Sequence, residues 1–119
     1  MNSIEGFLTI EQIHNLKEMG IKVKYPHFYL IGSNNSIITM TKDFNKGVPT
    51  LSAMEAVYLL PATISFDTIY HLNIHYEHDK WSVYYRDEDI GLMLCHTDKP
   101  FLCDAIYDML IWLDKHNLI

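Results

Sequence analysis

The chain has 119 residues, enough for one domain with a single core and too few for two. Apolar residues make up 49% and charged residues 20%, which excludes a disordered chain, and no run approaches the roughly 20 apolar residues of a membrane-spanning helix. The formal charge of −6 divides into +1 over residues 1–50 and −7 over residues 51–119; because Lys and Arg on phosphate supply most nucleic-acid affinity, the second part is a poor nucleic-acid surface.

Met1–Leu8 has neither a basic segment nor a long apolar run, so no signal peptide is expected. Thr9-Ile10-Glu11-Gln12 opens the first helix, with Thr9 as cap and Gln12 in the capping-box position. Ile10, Ile13, Leu16 and Met19 form its apolar stripe, and Gly20 ends it in a left-handed cap. Val23 to Thr41 reads as a hairpin: Phe28–Ile31, a polar turn at Gly32-Ser33-Asn34-Asn35, then Ser36–Thr41. Pro26 precedes the first strand, and Lys42–Gly47 is a polar connection. A second helix is expected to begin in Pro49–Glu55, capped by Thr50 or Ser52 and stopped by Pro61, with Met54, Val57, Tyr58 and Leu60 near one face.

Ala62–Asp67 reads as a linker. Tyr70, Leu72, Ile74 and Tyr76 then alternate with His71, Asn73 and His75, the period of a half-buried strand. Glu77–Lys80 turns the chain, and Trp81, Val83 and Tyr85 alternate with Ser82, Tyr84 and Arg86. Asp87-Glu88-Asp89 reads as solvated acidic loop. Ile90–His96 is more uniformly apolar, which suggests a central strand or one covered on both faces. The last helix starts with Pro100 at its first position. Phe101, Leu102, Ala105, Ile106, Met109, Leu110, Trp112 and Leu113 fall within one half-turn, with Cys103 at the edge and Asp104, Asp108, Asp114 and Lys115 opposite. The order α-β-β-α-β-β-β-α indicates an α+β fold over residues 1–119, an antiparallel sheet or sheets with helices packed on one face. Thr9-Ile10 and Thr50-Leu51, 41 residues apart, each precede a helix and a hairpin, a faint internal echo.

Residues able to carry chemistry are present without a motif to organise them. His71 and His75 share a strand face, but a rise of about 3.3 Å per residue separates them by about 13 Å, too far to chelate one zinc ion. His75, His78 and Asp79 can approach around the turn, yet their spacing matches no zinc motif, so no metal or cofactor is expected. Cys95 and Cys103 lie outside any CxxC pattern and read as buried free thiols in a reducing cytosol. Nucleophile elbow, P-loop, dinucleotide and metalloprotease motifs are all missing, so no catalytic residue is assigned. From Thr50 onward the order α-β-β-β-α matches the double-stranded RNA-binding domain, but Thr97–Asp104 carries one Lys and two Asp where that family has a lysine-rich phosphate clamp. Tyr107 and Ile111, spaced i, i+4 on the acidic side of the last helix, are the candidate partner-contact residues.

Two stretches, Thr9–Ile21 and the set Val48–Leu51, Leu60–Ile64 and Ala105–Leu113, resemble a group of small uncharacterised proteins of Bacteroides-group bacteria and their prophages and mobile elements. The matching motifs are helix starts, a proline stop and an apolar final helix. The resemblance implies a mobile-element accessory protein and transfers no site residue. The expected function is thus a small cytoplasmic protein-interaction protein, with an unknown protein or a second copy as partner. The alternatives are a nucleic-acid-associated module using Lys17, Lys22, Lys24, Lys42 and Lys46, and a small enzyme.

Overall fold

The computed structural model describes residues 6–21, 28–31, 36–39 and 48–119. Helix α1 (Ile10–Glu18) begins where the sequence places it: the Thr9 hydroxyl accepts from the Gln12 amide at 3.1 Å, and Gln12 Oε1 accepts from the Thr9 amide at 2.9 Å. The helix closes at Met19. Gly20 follows with φ +87°, which brings the Ile21 amide to the Leu16 carbonyl at 2.9 Å and turns Ile21 back onto the core. Leu8, Ile13 and Leu16 are fully buried.

Strands β1 (Phe28–Ile31) and β2 (Ser36–Thr39) pair antiparallel from Phe28↔Thr39 to Ile31↔Ser36, the core of the expected hairpin. Its turn, the connection at 42–47 and Pro26 lie outside the described residues. Strand β3 (Val48–Thr50) adds to the far side of β1, giving the order β2-β1-β3. The helix expected to begin within Pro49–Glu55 therefore starts only after Thr50, in the later part of that stretch. Pro49 sits on an outer strand, where its missing N–H costs least. The chain then pairs with the entry to α1: the Leu8 amide reaches the Leu51 carbonyl at 3.2 Å, and the Ala53 amide reaches the Gly6 carbonyl at 2.9 Å. Helix α2 (Ala53–Val57) is therefore short, with Ser52 and not Thr50 as its cap, in a second capping box with Glu55.

Residues 62–67 hold a strand that the sequence reading missed. Thr63-Ile64-Ser65 forms β4, with Ile64 turned inward at 4% exposure, and three residues are too few to display an alternation. Strands β5 (Ile69–Glu77), β6 (Lys80–Arg86) and β7 (Met93–Lys99) complete a four-stranded antiparallel sheet in the order β4-β5-β6-β7. β7 is thus an edge strand, not the central one its apolar run suggested. The reason lies in Gly91: residues 90–92 belong to the loop, and the strand proper extends past His96 through Thr97, Asp98 and Lys99.

One face of this sheet carries Tyr70, Leu72, Ile74, Trp81, Val83, Tyr85 and Cys95 into the core. Helix α3 (Leu102–Lys115) lies across β6 and β7 on that face, with α2 beside it. Its buried residues are Cys103, Ala105, Ile106, Met109, Leu110 and Leu113. The arc is rotated from the expected one: Cys103 is enclosed, whereas Phe101, Leu102 and Trp112 are half-buried. Pro100 precedes the N-cap residue Phe101 instead of occupying the first turn, because Lys99 is still paired with Trp81 in the sheet. The architecture is α+β in essentially the expected order, with β3 and β4 added. Among the described residues, the buried apolar side chains belong to one cluster, from Leu8 to Leu113.

Candidate functional site

A hairpin's register decides which loops share an end of the sheet. Ser65↔Ile69 closes the β4–β5 turn, and His71↔Arg86 sets the start of β5 beside the end of β6. The turn at 66–68 and the loop at 87–92 therefore lie side by side.

Asp87 joins them. It stands in the acidic run that reads as solvated surface, yet it is only 4% exposed. Its carboxylate accepts from the Asp89 amide at 2.8 Å, from the Thr68 hydroxyl across the gap, and from the Ile90 amide. These bonds, the Asp89 amide foremost and the Thr68 hydroxyl next, hold its carboxyl below the usual range against the opposing effect of burial; the His71 charge adds to them. The Asp87 backbone closes the same loop, its amide donating to the Leu92 carbonyl and its carbonyl accepting from the Gly91 amide, both at 2.8 Å. Gly91 has φ +74°, and a Cβ there would stand 3.1 Å from Arg86 Nη2, so the loop requires glycine at this point. On the neighbouring turn, Tyr70 donates its hydroxyl to Asp67 at 2.8 Å, a bond that raises the phenol above its ordinary range.

The latched turns present a row of apolar side chains to solvent: Phe66 (68% exposed), Ile69 (53%), Ile90 (73%), Leu92 (51%) and Met93 (46%). Five of the nine exposed large apolar residues among the described residues thus gather at one end of one sheet. Scattered exposed apolar residues need no explanation, but a group gathered on two adjoining turns that a buried carboxylate ties together is the candidate surface of this structure. Asp67, Glu88 and Asp89 rim it, with Arg86 and His71 alongside, all exposed. The sequence signal for this surface was the breaker Gly91 between Ile90 and Leu92, which argues against an uninterrupted strand.

The residues singled out from sequence take different places. Tyr107 and Ile111 are half-buried, and the Tyr107 hydroxyl accepts from Asn15 Nδ2 of α1 at 2.8 Å. One helical turn earlier, Gln12 Nε2 donates to Asp104 Oδ1 at 2.7 Å. A polar seam thereby joins α1 to α3. Of the candidate phosphate-binding lysines, Lys17 is exposed on α1, and Lys22, Lys24, Lys42 and Lys46 lie outside the described residues, as does His27. The extra strand β4 also breaks the α-β-β-β-α order shared with the double-stranded RNA-binding domain.

The open face of the sheet carries the strand histidines. His75 and His78 both pair with Glu77, at 2.9 and 3.3 Å. His96 Nε2 and the Ser82 hydroxyl both donate to Asp98 Oδ1, the former at 2.9 Å. Ser, His and Asp are thus adjacent, but Asp98 stands between the other two. A serine nucleophile needs histidine as its direct base, so this order does not activate Ser82. Among the described residues, no three His, Cys, Asp or Glu side chains are grouped to hold a metal ion. Burial pushes the Cys95 thiol up to about 11 and the Cys103 thiol up to about 12, which leaves both protonated and unreactive at neutral pH. Among the described residues, no helix is long and apolar enough to cross a membrane. No family model, curated protein or solved structure matches this chain.

Proposed function

We propose that this chain is a small protein-interaction module, an accessory protein of a prophage or mobile element acting in the cytoplasm, and that it binds another protein through Phe66, Ile69, Ile90, Leu92 and Met93. The observation that carries this reading is the clustering of these exposed side chains over the Asp87–Thr68 latch. Exposing them to water gains the monomer nothing, since burying one such side chain contributes about 1.5–3 kcal/mol. The latch fixes the loop before any partner arrives, which lowers the ordering cost of association. The mobile-element setting rests on the resemblance of Thr9–Ile21 and Ala105–Leu113 to proteins of that kind.

Affinity capture compared between the wild-type chain and an Ile90→Ser/Leu92→Ser variant tests the reading. Both side chains are exposed, so the variant keeps its fold. Quantitative mass spectrometry should find at least one protein retained by the wild type and lost with the variant. Identical capture profiles would refute the reading.

A further inference from the structure

Apolar contact alone does not choose a partner; the charges around it do. The carboxylates at the rim of the surface are Asp67, Glu88 and Asp89, against Arg86 and the titratable His71, all on the two turns or the strand ends that bear them. Asp87 adds a fourth carboxylate beneath the loop, kept ionised by its hydrogen bonds. Residues 51–119 carry −7 and the whole chain −6, so the local excess lies within a field of the same sign. A second copy docking here would bring its own acidic rim against this one, and an anionic lipid surface or a nucleic acid would be repelled likewise. Such like-charge contacts oppose docking, the more so as screening weakens, whereas a cationic partner meets the same rim favourably.

Building on the interaction reading, we infer that the segment held by the Phe66–Met93 surface combines apolar side chains with lysine or arginine. Its apolar residues cover Ile69, Ile90 and Leu92, and its cations face Glu88, Asp89 and Asp67. Arg86, packed against Gly91, sets one limit of the acidic rim.

Fluorescence anisotropy with two labelled probes tests this: an amphipathic leucine–lysine peptide of about 16 residues, and the same peptide with glutamate at every lysine. The lysine peptide should bind the wild-type chain and the glutamate peptide should not. Ile90→Ser/Leu92→Ser and, separately, Glu88→Lys/Asp89→Lys should each weaken binding about tenfold or more, the second losing most of its salt dependence. Equal binding of both peptides would overturn the cationic assignment while leaving an apolar interaction surface in place. Binding of the lysine peptide that neither variant changes would place the site elsewhere, and failure of both peptides to bind would also overturn the inference. Light scattering on the same samples supplies a further outcome: a dimer abolished by Ile90→Ser/Leu92→Ser would assign the surface to a second copy and overturn it as well.

Discussion

Gln12 holds two jobs that a glutamate cannot share. Its carbonyl oxygen closes the capping box on Thr9, and its amide nitrogen donates to Asp104. Gln12→Glu keeps the box but sets two carboxylates against each other in a mostly buried seam. Urea unfolding should show a loss of about 1–3 kcal/mol, recovered when Asp104→Asn restores a donor. Asp87 makes the second residue-scale prediction. Its carboxyl is depressed in the folded chain, so the stabilisation is fully present above the unfolded value near pH 4 and is lost as pH falls through the lower folded value. Asp87→Asn should be less stable than wild type at neutral pH, and the gap should narrow on acidification below about pH 4. A gap that is constant with pH would remove the carboxylate's charge from the account.

At the scale of elements, the β5–β6 hairpin shows what sequence patterning can and cannot convey. The alternation from Tyr70 to Tyr85 settles both strands, and the register Tyr76↔Trp81 places two aromatic rings with centroids 4.9 Å apart. The turn is tighter than four residues: His78 and Asp79 alone span it, with φ of +54° and +61°. A two-residue turn with both φ positive favours Asn-Gly, so Asp79→Gly should raise stability by about 0.5–1 kcal/mol in denaturant unfolding. The Tyr76–Asp79 bond that it removes is long, at 3.4 Å, and exposed. The start of α1 was legible because a capping box is a local exchange between residues three apart; at α2 the same exchange, Ser52 with Glu55, chose between the two caps the sequence offered. Strands β3 and β4 were not legible, because each has only three residues, too few for an alternation to show, and β3 in addition pairs with a strand about 20 residues away in sequence. Asp87 was illegible for a related reason: its burial depends on Thr68, 19 residues away and on another turn.

At the scale of the molecule, a single core draws α1, α2, the four-stranded sheet and α3 together. Met109 lies at its centre, fully buried and 3.5 Å from the Cys95 sulfur. Met109→Asp should therefore leave no cooperative unfolding transition. The same enclosure shields both thiols: a thiol reagent at about pH 8 should label neither Cys95 nor Cys103 in the folded chain and both in denaturant. Prompt labelling of either in the folded chain would mean the core is looser than described. Among the described residues, exposed large apolar side chains gather at one end of the four-stranded sheet, and that end carries the functional claim. Site-specific photo-crosslinking in living cells addresses it most directly, with a benzophenone side chain placed at Ile90 or, for comparison, at the exposed His116 after α3. The account predicts a discrete adduct of larger mass from position 90 and none from position 116. Equal labelling at the two positions, or no adduct from position 90, would contradict it.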